Sequence, residues 1–322
     1  MANRVLLLLL MLGVSSLQTK GQTFTIVSYN CENAFDTLHD AGKEDYDFLP
    51  GGTHHWTRHR MYTKLNGIAK VIASVDSLRP VDVVCLCEVE NDSVMTWLTE
   101  RTVLHRMGYR YVMTHSLDER GVDVALLYQP FTFHLLYYNS IRPQIEGHTR
   151  DVLHATGTIA SGDTLDVFAV HLPSKLKGKT SEGYRKTIAR QIMQVVDSLE
   201  AVRTQPNVVV LGDFNDEANT PTLRNFAKGD KLESAAVLSQ QKKHSYKYQG
   251  VWSGIDHILV NKNMKRRLVA TDVVSHSFLL EEDQKFGGVK PKRTFVGWKY
   301  NGGFSDHLPI VASFDITAGF RH

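Results

Sequence analysis

The sequence predicts an α/β fold in which large β-sheets are covered by helices. Short runs of branched apolar residues alternate with segments of helical periodicity, and no internal repeat, low-complexity block or interdomain linker interrupts them. Polar groups that could carry chemistry follow strand-like runs in both halves of the chain. This distribution favours one domain over residues 22–322, with its site at the sheet edges.

The composition is that of an ordinary globular protein. The chain has 322 residues, of which 42% are hydrophobic and 22% are charged, enough to bury a substantial core. Its 37 basic residues nearly balance its 34 acidic residues, for a net charge of +3. This balance provides no overall electrostatic footprint for nucleic acid, so a polyanionic partner cannot be argued from charge.

The N-terminus has the layout of a secretory signal peptide. Arg4 precedes an apolar stretch from Val5 to Val14, which is too short to span a bilayer, and small and polar residues follow it. We predict a signal peptide over residues 1–21, cleaved after Ser16 or Gly21. The mature protein is then expected to be exported, periplasmic or secreted, with no stable membrane anchor.

The first part of the chain predicts two strand–helix pairs. Residues 24–29 are rich in branched and aromatic residues and predict a strand. After a polar loop at 36–56, an apolar stripe at helical spacing predicts a helix from Arg58 to Leu78. A proline then ends this helix, a short buried strand is predicted at 81–86, and a second helix at 92–107.

The rest of the chain is richer in strands. Apolar periodicity makes Thr180 to Val202 the clearest later helix. Branched and aromatic runs predict further strands at residues 109–114, 122–128, 131–139, 154–159, 166–170, 207–211, 255–260, 268–275 and 308–316. Residues 212–254 are predicted to be rich in loops. Segment 275–298 is long and irregular, so we expect it to shape substrate access together with loop 36–56.

The three cysteines do not form a disulfide framework. Cys85 and Cys87 alternate along one predicted strand, where side chains on the same side are about 6.5 Å apart, too far for comfortable bridging. Cys31 lies in another strand-like run. We predict that all three are small buried hydrophobic residues; a bridge from Cys31 to one of the others is the alternative.

The most informative segment is an apolar strand that ends in acids and an amide. Val208 to Leu211 is followed by Gly212-Asp213-Phe214-Asn215-Asp216, and Ser305-Asp306-His307 stands near the C-terminus. An apolar run that stops at glycine and continues with carboxylates predicts a buried strand that delivers polar groups to a rim.

Further strand-like runs end in similar groups, which together predict one polar, metal-binding site. Glu88 is either a solvated carboxylate or a ligand for a hard divalent cation. Asn30 and Glu32 are two residues apart on one strand and are expected to share a face. His171 is either a hydrogen-bonded structural residue or a phosphate contact. The nearby basic residues are expected to be solvated or at the surface: Lys175, Lys177, Lys179, Arg185 and Arg190.

Two acid–imidazole pairs, Asp256-His257 and Asp306-His307, add to this site. Adjacent side chains on a strand face opposite ways, so each aspartate must find its partner elsewhere. We predict that Asp256 orients His307 across neighbouring strands, which leaves Asp306 free as a metal ligand. The sequence lacks a Gly-x-Ser-x-Gly elbow, a Walker loop, a Cys-x-x-Cys pair and a His-Glu-x-x-His motif.

Taken in order, these motifs resemble those of the endonuclease/exonuclease/phosphatase superfamily. This group includes deoxyribonuclease-like nucleases, apurinic-site endonucleases, bacterial sphingomyelinases and inositol polyphosphate 5-phosphatases. The resemblance extends from residue 24 to about 316. Any one motif is weak evidence for the superfamily, whereas the complete set in the same order is specific for it. The matching segments are Ser28–Asn33, Cys87–Val89, Val122–Tyr128, His171–Ser174, Gly212–Asn215, Ile255–His257 and Phe304–Pro309.

The resemblance implies a four-layer αββα sandwich of two mixed sheets flanked by helices, with the site at one rim. It implies that Glu88 is the principal Mg²⁺ ligand, supported by Glu32 and Asp306, although Mn²⁺ or Ca²⁺ could serve. At Glu32 several branches of the superfamily place Asp or another group. It further implies that Asn30 positions metal or phosphate, that Asp213 orients or deprotonates the attacking water, and that Asn215 holds the site together. His307, braced by Asp256, would stabilise the scissile phosphate. His171 would supply a second imidazole, with Asp123 as its partner.

The expected function is exported, Mg²⁺-dependent phosphoester hydrolysis. A nuclease or broad phosphodiesterase is favoured, with nucleic acid as the main partner and no protein partner. The alternatives are an inositol-phosphate or lipid-headgroup phosphatase or phosphodiesterase, and a catalytically silent binding protein of the same fold. A silent relative is expected to have lost at least one residue of the set Glu88, Asp213, Asn215, Asp256, Asp306 and His307, whereas this chain has them all.

Overall fold

The computed structural model describes residues 22–175, 178–235 and 244–317; the predicted signal peptide lies outside them, and so does Lys177. Two six-stranded mixed sheets pack face to face and helices cover both outer faces, which confirms the predicted four-layer αββα sandwich. None of the helices within the described ranges is long and apolar enough to cross a membrane.

The regular elements alternate along the chain as follows. The strands are β1 (Thr23–Ala34), β2 (Val83–Val89), β3 (Arg110–Met113), β4 (Asp123–Tyr128), β5 (Phe133–Ile141), β6 (Val152–Ile159), β7 (Thr164–His171), β8 (Asn207–Asp213), β9 (Leu232–Ser234), β10 (Tyr246–Tyr248), β11 (Val251–Ser253), β12 (Asp256–Asn261), β13 (Leu268–Val273), β14 (Leu280–Glu282), β15 (Val289–Pro291), β16 (Phe295–Val296), β17 (Lys299–Tyr300) and β18 (Ile310–Asp315). The α-helices are α1 (Arg58–Ser74), α2 (Asp92–Glu100), α3 (Lys179–Val202), α4 (Pro221–Ala227) and α5 (Lys262–Arg267). Short 3₁₀ helices span Tyr46–Phe48, Val103–Met107, Lys228–Asp230 and Ser277–Leu279.

Each sheet contains one parallel pair of central strands. The first sheet has the order β13-β18-β1-β2-β4-β3, and β1 runs parallel to β2. The second has the order β5-β6-β7-β8-β12-β9, and β7 runs parallel to β8. The carboxyl ends of a parallel pair lie at the same sheet edge, so each sheet brings the residues that end its central strands together.

The core has three layers, one between the sheets and one beneath each helical face. In helix α1, Leu65, Ile68 and Ile72 recur at helical spacing and pack on the outer face of the first sheet. Helix α3 covers the second sheet in the same way. Cys85 and Cys87 lie between the sheets, whereas Cys31 lies on the opposite, helix-covered side of the first sheet. All three cysteines are buried and free, as predicted, and this separation explains why Cys31 forms no bridge to the others.

Three predicted elements differ from the structure. The helix predicted over 92–107 ends at Glu100, because Thr102 adopts an extended conformation and its side chain caps a separate 3₁₀ helix. The loop-rich prediction for 212–254 missed the short helix α4 and strands β9 to β11. The irregular prediction for 275–298 missed the strands β14 to β16, which are two or three residues long and leave little periodicity to detect.

Candidate active site

The polar groups that follow the central strands meet at one rim of the two sheets. His171 and Asp213 are paired residues at the ends of β7 and β8, and Asp256 at the start of β12 pairs with Asp213 on its other side. Asn30 of β1 crosses from the first sheet to the second, where its side-chain amide donates to Asp213 Oδ2 at 3.0 Å. The face-to-face packing of the sheets therefore assembles a single polar cluster.

Asp213 lies at the centre of this cluster. Besides the bond from Asn30, its Oδ1 accepts a hydrogen bond from the backbone N–H of Asn215 at 2.8 Å. The Nε2 atoms of His171 and His307 approach Oδ2 at 3.7 and 3.9 Å, which is too far for a hydrogen bond. Burial and the neighbouring charge of Asp256 raise the pKa of Asp213 to about 7, although His307 opposes the shift.

His307 is oriented by Asp256. Its Nδ1 lies 2.8 Å from Asp256 Oδ2, and the same oxygen accepts a hydrogen bond from the Ser245 hydroxyl at 2.5 Å. Burial alone would lower the pKa of His307, but the charge and hydrogen bond of Asp256 outweigh it and raise the pKa well above its ordinary value. The predicted pairing is thus present, but it joins the two sheets rather than neighbouring strands, because His307 precedes β18 of the first sheet.

His171 is the opposite kind of imidazole. Burial and the nearby charge of Arg150 lower its pKa well below the ordinary value, so the ring is neutral. Within the described part of the chain, its Nδ1 has no hydrogen-bond partner. The predicted partnership with Asp123 is therefore wrong: Asp123 accepts hydrogen bonds from the Thr114 hydroxyl at 2.5 Å and the Ser116 amide at 3.0 Å, and these hold it in place.

The three carboxylates predicted to bind metal all lie beside basic side chains. Glu88 Oε1 is 3.5 Å from Arg120 Nη1, and its other oxygen accepts from the Asn33 amide at 2.9 Å. Arg293 bridges the other two, with Nε 3.1 Å from Glu32 Oε1 and Nη2 2.9 Å from Asp306 Oδ2.

The charges around Glu88 keep it ionised. Burial alone would raise its pKa, but Arg120, His307 and Arg150 together outweigh burial and lower it. An ionised carboxylate with an oxygen facing the cluster is a suitable ligand for a divalent cation.

Backbone strain is concentrated in this rim. Glu32, Asn33, Glu88 and Asn215 all have positive φ angles, between 50° and 62°, a region that residues other than glycine rarely adopt. The strain at Glu32 and Asn33 coincides with a shift in the register of β1 against β2. The predicted sharing of a face by Asn30 and Glu32 is therefore wrong, because Asn30 reaches the second sheet while Glu32 turns towards Arg293.

The loop after β8 is fixed by close packing and by ion pairs. A Cβ atom at Gly212 would lie 1.8 Å from the carbonyl oxygen of Val170, so glycine is required where β8 meets β7. The Asn215 side chain donates to the carbonyl oxygen of Leu172 at 3.0 Å, and Arg185 Nε lies 3.2 Å from Asp216. These contacts set the position of Asp213 within the rim.

Arg185 was predicted to lie at the surface, and this prediction is wrong. Its exposed fraction is 3%, and it pairs with Asp216 beneath the loop. It precedes Ile188, Ala189 and Ile192 at helical spacing, so it belongs to the apolar stripe of α3, a signal that was available in the sequence. Arg120, Arg150, Arg293 and Lys64 were missed because they contact the site only through the tertiary fold.

The donor set fits a divalent cation. Asp213, Asp256 and His307 form a buried group whose candidate ligand atoms all lie within 4.8 Å of one another, and such a group could hold a metal. Glu88 adds an ionised carboxylate beside it, with Oε1 4.0 Å from His171 Nε2. Oxygen-rich sets of this kind suit Mg²⁺, Mn²⁺ or Ca²⁺.

Comparison with known proteins identifies the fold. A mannosyl-6-phosphatase from Bacteroides thetaiotaomicron has a TM-score of 0.61 at 15% identity, over 90% of this chain and 98% of that one. TDP2 from Caenorhabditis elegans has a TM-score of 0.60 at 16% identity, over 91% and 75%. The human Nocturnin catalytic domain with bound sulfate has a TM-score of 0.57 at 18% identity, over 91% and 94%. At these identities the likeness establishes the fold alone.

Sequence comparison identifies the family. No protein of curated function matches the sequence. A profile of the endonuclease/exonuclease/phosphatase family does match, over residues 25–315. The chain therefore belongs to the endonuclease/exonuclease/phosphatase family, whose enzymes are metal-dependent hydrolases of phosphoester bonds.

Proposed function

We propose that this protein is an exported, Mg²⁺-dependent phosphoester hydrolase that attacks the phosphate with an activated water, and that it acts as a nuclease or broad phosphodiesterase. The observation that carries the proposal is the position of Asp213 between two buried imidazoles, whose Nε2 atoms lie 3.7 and 3.9 Å from its Oδ2. A buried carboxylate with few hydrogen bonds, a neutral ring and a charged ring are the groups that water attack on a phosphoester requires.

Asp213 is the proposed base. Its pKa of about 7 lies near a neutral operating pH, where a general base combines adequate basicity with a large deprotonated fraction. The hydrogen bonds from Asn30 and from the Asn215 backbone fix the carboxylate without neutralising it. Asp213 thereby accepts a proton from water held beside it.

His307 is the proposed donor to the phosphate. Its ring is protonated and held by Asp256, so its Nε2–H can donate to a phosphate oxygen as negative charge develops. His171 is neutral, and its Nε2 lies 3.7 Å from Asp213 Oδ2, so it places a polar group beside the base without adding charge.

The proposed principal ligand for the divalent cation is Glu88. The group of Asp213, Asp256 and His307 is a poorer choice, because His307 Nδ1 and the Ser245 hydroxyl already engage the same oxygen of Asp256. A cation at Glu88 supplies Lewis-acid stabilisation of the phosphate oxygens. Glu32 and Asp306, the other two predicted ligands, are considered separately below.

The substrate class follows from weaker observations. Arg120 and Arg293 have side chains 48% and 38% exposed beside the site and suit the binding of further phosphates, as in a nucleic acid backbone. An inositol-phosphate or lipid-headgroup substrate would use the same guanidinium groups, and the fold is shared with a mannosyl-6-phosphatase. The complete set of candidate site residues argues against a silent binding protein.

The test is a parallel assay of plasmid DNA, bis(p-nitrophenyl) phosphate, an inositol polyphosphate and mannose 6-phosphate, each with Mg²⁺ and with EDTA. The proposal predicts nicking of DNA and cleavage of the diester, both abolished by EDTA. Phosphate release from the monoesters alone would move the protein to the phosphatase alternative. Inactivity on all four would support the silent binding protein.

A further inference from the structure

Arg293 occupies the position between two of the three carboxylates that were predicted to bind metal. Its Nε donates to Glu32 at 3.1 Å and its Nη2 to Asp306 at 2.9 Å. The second oxygen of Glu32 accepts the Thr294 amide at 2.6 Å and lies 3.9 Å from the buried ammonium of Lys64. Both oxygens of Glu32 are therefore already engaged by donors of this chain.

The loop that carries Arg293 is built into the fold. A Cβ atom at Gly303 would lie 2.1 Å from the Lys292 carbonyl oxygen and 2.4 Å from that of Arg293, so only glycine allows this close approach. Lys64 holds the two sides of the loop together through the Thr294 hydroxyl at 2.5 Å and the Phe304 carbonyl at 2.6 Å. The backbone that carries the Arg293 side chain is consequently held in one position.

The local charges already balance. Lys64 and Arg293 provide two positive charges, and Glu32 and Asp306 provide two negative charges. A divalent cation placed between Glu32 and Asp306 would add uncompensated charge to a largely buried cluster, which is unfavourable. Glu88 differs, because its only basic partner within the described residues, other than the imidazole of His171, is Arg120 at 3.5 Å. A cation can compete with that long contact.

The remaining guanidinium edge is available to a ligand. Nη1 of Arg293 makes no hydrogen bond to any residue in the described ranges, and the side chain is 38% exposed. Guanidinium groups held from behind by carboxylates present their free N–H groups in a fixed geometry that matches phosphate oxygens.

We propose that Arg293 takes the place of a second metal ion: it neutralises Glu32 and Asp306 and binds a phosphate oxygen of the substrate, while a single divalent cation binds at Glu88. Glu32 is then a positioning residue for Arg293 rather than a metal ligand. This inference rests on the proposed phosphoester hydrolysis for its phosphate, but its account of the metal can be tested without any turnover.

The experiment is a titration of the EDTA-treated, dialysed full chain with Mn²⁺, followed by electron paramagnetic resonance of the free ion. We expect one tightly bound ion in the wild type. In Arg293→Met, Glu32 and Asp306 lose their counter-charge, so a second ion should bind, and Arg293→Lys, which keeps the charge, should still bind one. Two ions in the wild type, or one in a natively folded Arg293→Met, would overturn the inference.

A second pair of variants keeps the test decisive if Arg293→Met does not fold. Glu32→Gln should leave the affinity for Mn²⁺ within about twofold, because Glu32 is not a ligand, whereas a loss of about tenfold or more would show that it is one. Glu88→Gln should abolish binding. Retained binding in Glu88→Gln would refute the cation site at Glu88, in the proposed function and in this inference alike, whereas the number of ions bound by Arg293→Met would still decide whether Arg293 replaces a second ion.

The phosphate contact has its own readout. Inorganic phosphate should raise the melting temperature of the metal-free wild type, and this shift should vanish in Arg293→Met and shrink in Arg293→Lys, which cannot bind in a bidentate manner. An equal shift in all three proteins would overturn the assignment of the phosphate to Arg293.

Discussion

Two of the buried aspartates of the second sheet lie on neighbouring strands, each beside a histidine, and their surroundings differ. Asp166 and Asp213 are both almost fully buried, on the neighbouring strands β7 and β8. Asp166 accepts a hydrogen bond from the Thr156 hydroxyl at 2.6 Å and lies 3.0 Å from the Nε2 of His154. Its other oxygen forms an ion pair with Arg203.

Asp213 has fewer donors and lies closer to other acids. It accepts from one side-chain amide and one backbone amide, and His171 remains 3.7 Å away. Burial would raise the pKa of either aspartate, but hydrogen bonds and the charge of Arg203 lower that of Asp166, while burial and Asp256 raise that of Asp213 to about 7.

The comparison shows that neither burial nor a neighbouring histidine identifies a reactive aspartate. The hydrogen-bond donors and the neighbouring charges decide together, because a carboxylate that accepts several hydrogen bonds and pairs with an arginine is stabilised as an ion and has little tendency to take a proton. Asp166 therefore contributes to stability, and Asp213 to catalysis.

The largest expected effect follows from removing the reactive charge. Asp213→Asn should lower kcat by about 10³-fold, because the amide keeps the shape of the residue and loses the base. The melting temperature should fall only modestly, since the asparagine oxygen can still accept from one of the two donors, Asn30 or Asn215, and a buried charge is removed. Hydrolysis of bis(p-nitrophenyl) phosphate and differential scanning fluorimetry provide the two readouts, and a kcat within tenfold of the wild type would contradict the assignment.

The imidazole of the reactive cluster comes next. His307→Gln should lower kcat by about 10²-fold, because it removes a positioned donor to the phosphate. Asp256 acts through His307, so the double variant with Asp256→Asn should be about as slow as His307→Gln alone. Losses that multiply instead would show that Asp256 has an independent role.

The structural aspartate should give the reverse pattern. Asp166→Asn leaves Arg203 and His154 without their anionic partner and should lower the free energy of unfolding by about 2–3 kcal/mol. The kcat of the folded variant should stay near that of the wild type, because Asp166 lies outside the rim. Urea denaturation and steady-state assays together test this, and a variant that keeps its stability but loses activity would reverse the comparison.

The smallest expected effect is the pH dependence of the stability that Asp166 contributes. The folded-state pKa of Asp166 lies below the unfolded value of about 4, so its contribution is complete above that pH and is lost as the pH falls through the folded-state pKa. The difference in unfolding free energy between the wild type and Asp166→Asn should therefore be constant from pH 7 to about 5 and shrink below about 4. A difference that grows in acid would have the wrong sign.

Much of the site could be predicted from the sequence because its groups follow recognisable strands. The run from Val208 to Leu211 places Asp213 at a rim, and alternation along the strand required Asp256 to find a distant partner, which is His307. Both inferences depend on local periodicity, which a single sequence displays directly.

The counter-charges could not be predicted in the same way. Glu32 and Arg293 are 261 positions apart, and only the tertiary fold brings the end of β1 and the loop after β15 together. Glu32 has a left-handed conformation, so its side chain does not point to the face of the sheet that simple alternation predicts. A local sequence pattern does not predict that conformation in a residue other than glycine. The roles of Asp123 and Arg185 were mistaken for a similar reason, since their partners are set by packing.

The most direct test of the account is the titration of the aspartate side chains in the metal-free protein, followed by carbon NMR with ¹³C-labelled carboxyl groups. We predict one carboxyl resonance with a midpoint near pH 7 that is absent in Asp213→Asn and present in Asp166→Asn. If every aspartate has titrated by about pH 5, or if the high-pH resonance is lost in Asp166→Asn instead, the assignment of Asp213 as the reactive carboxylate is contradicted.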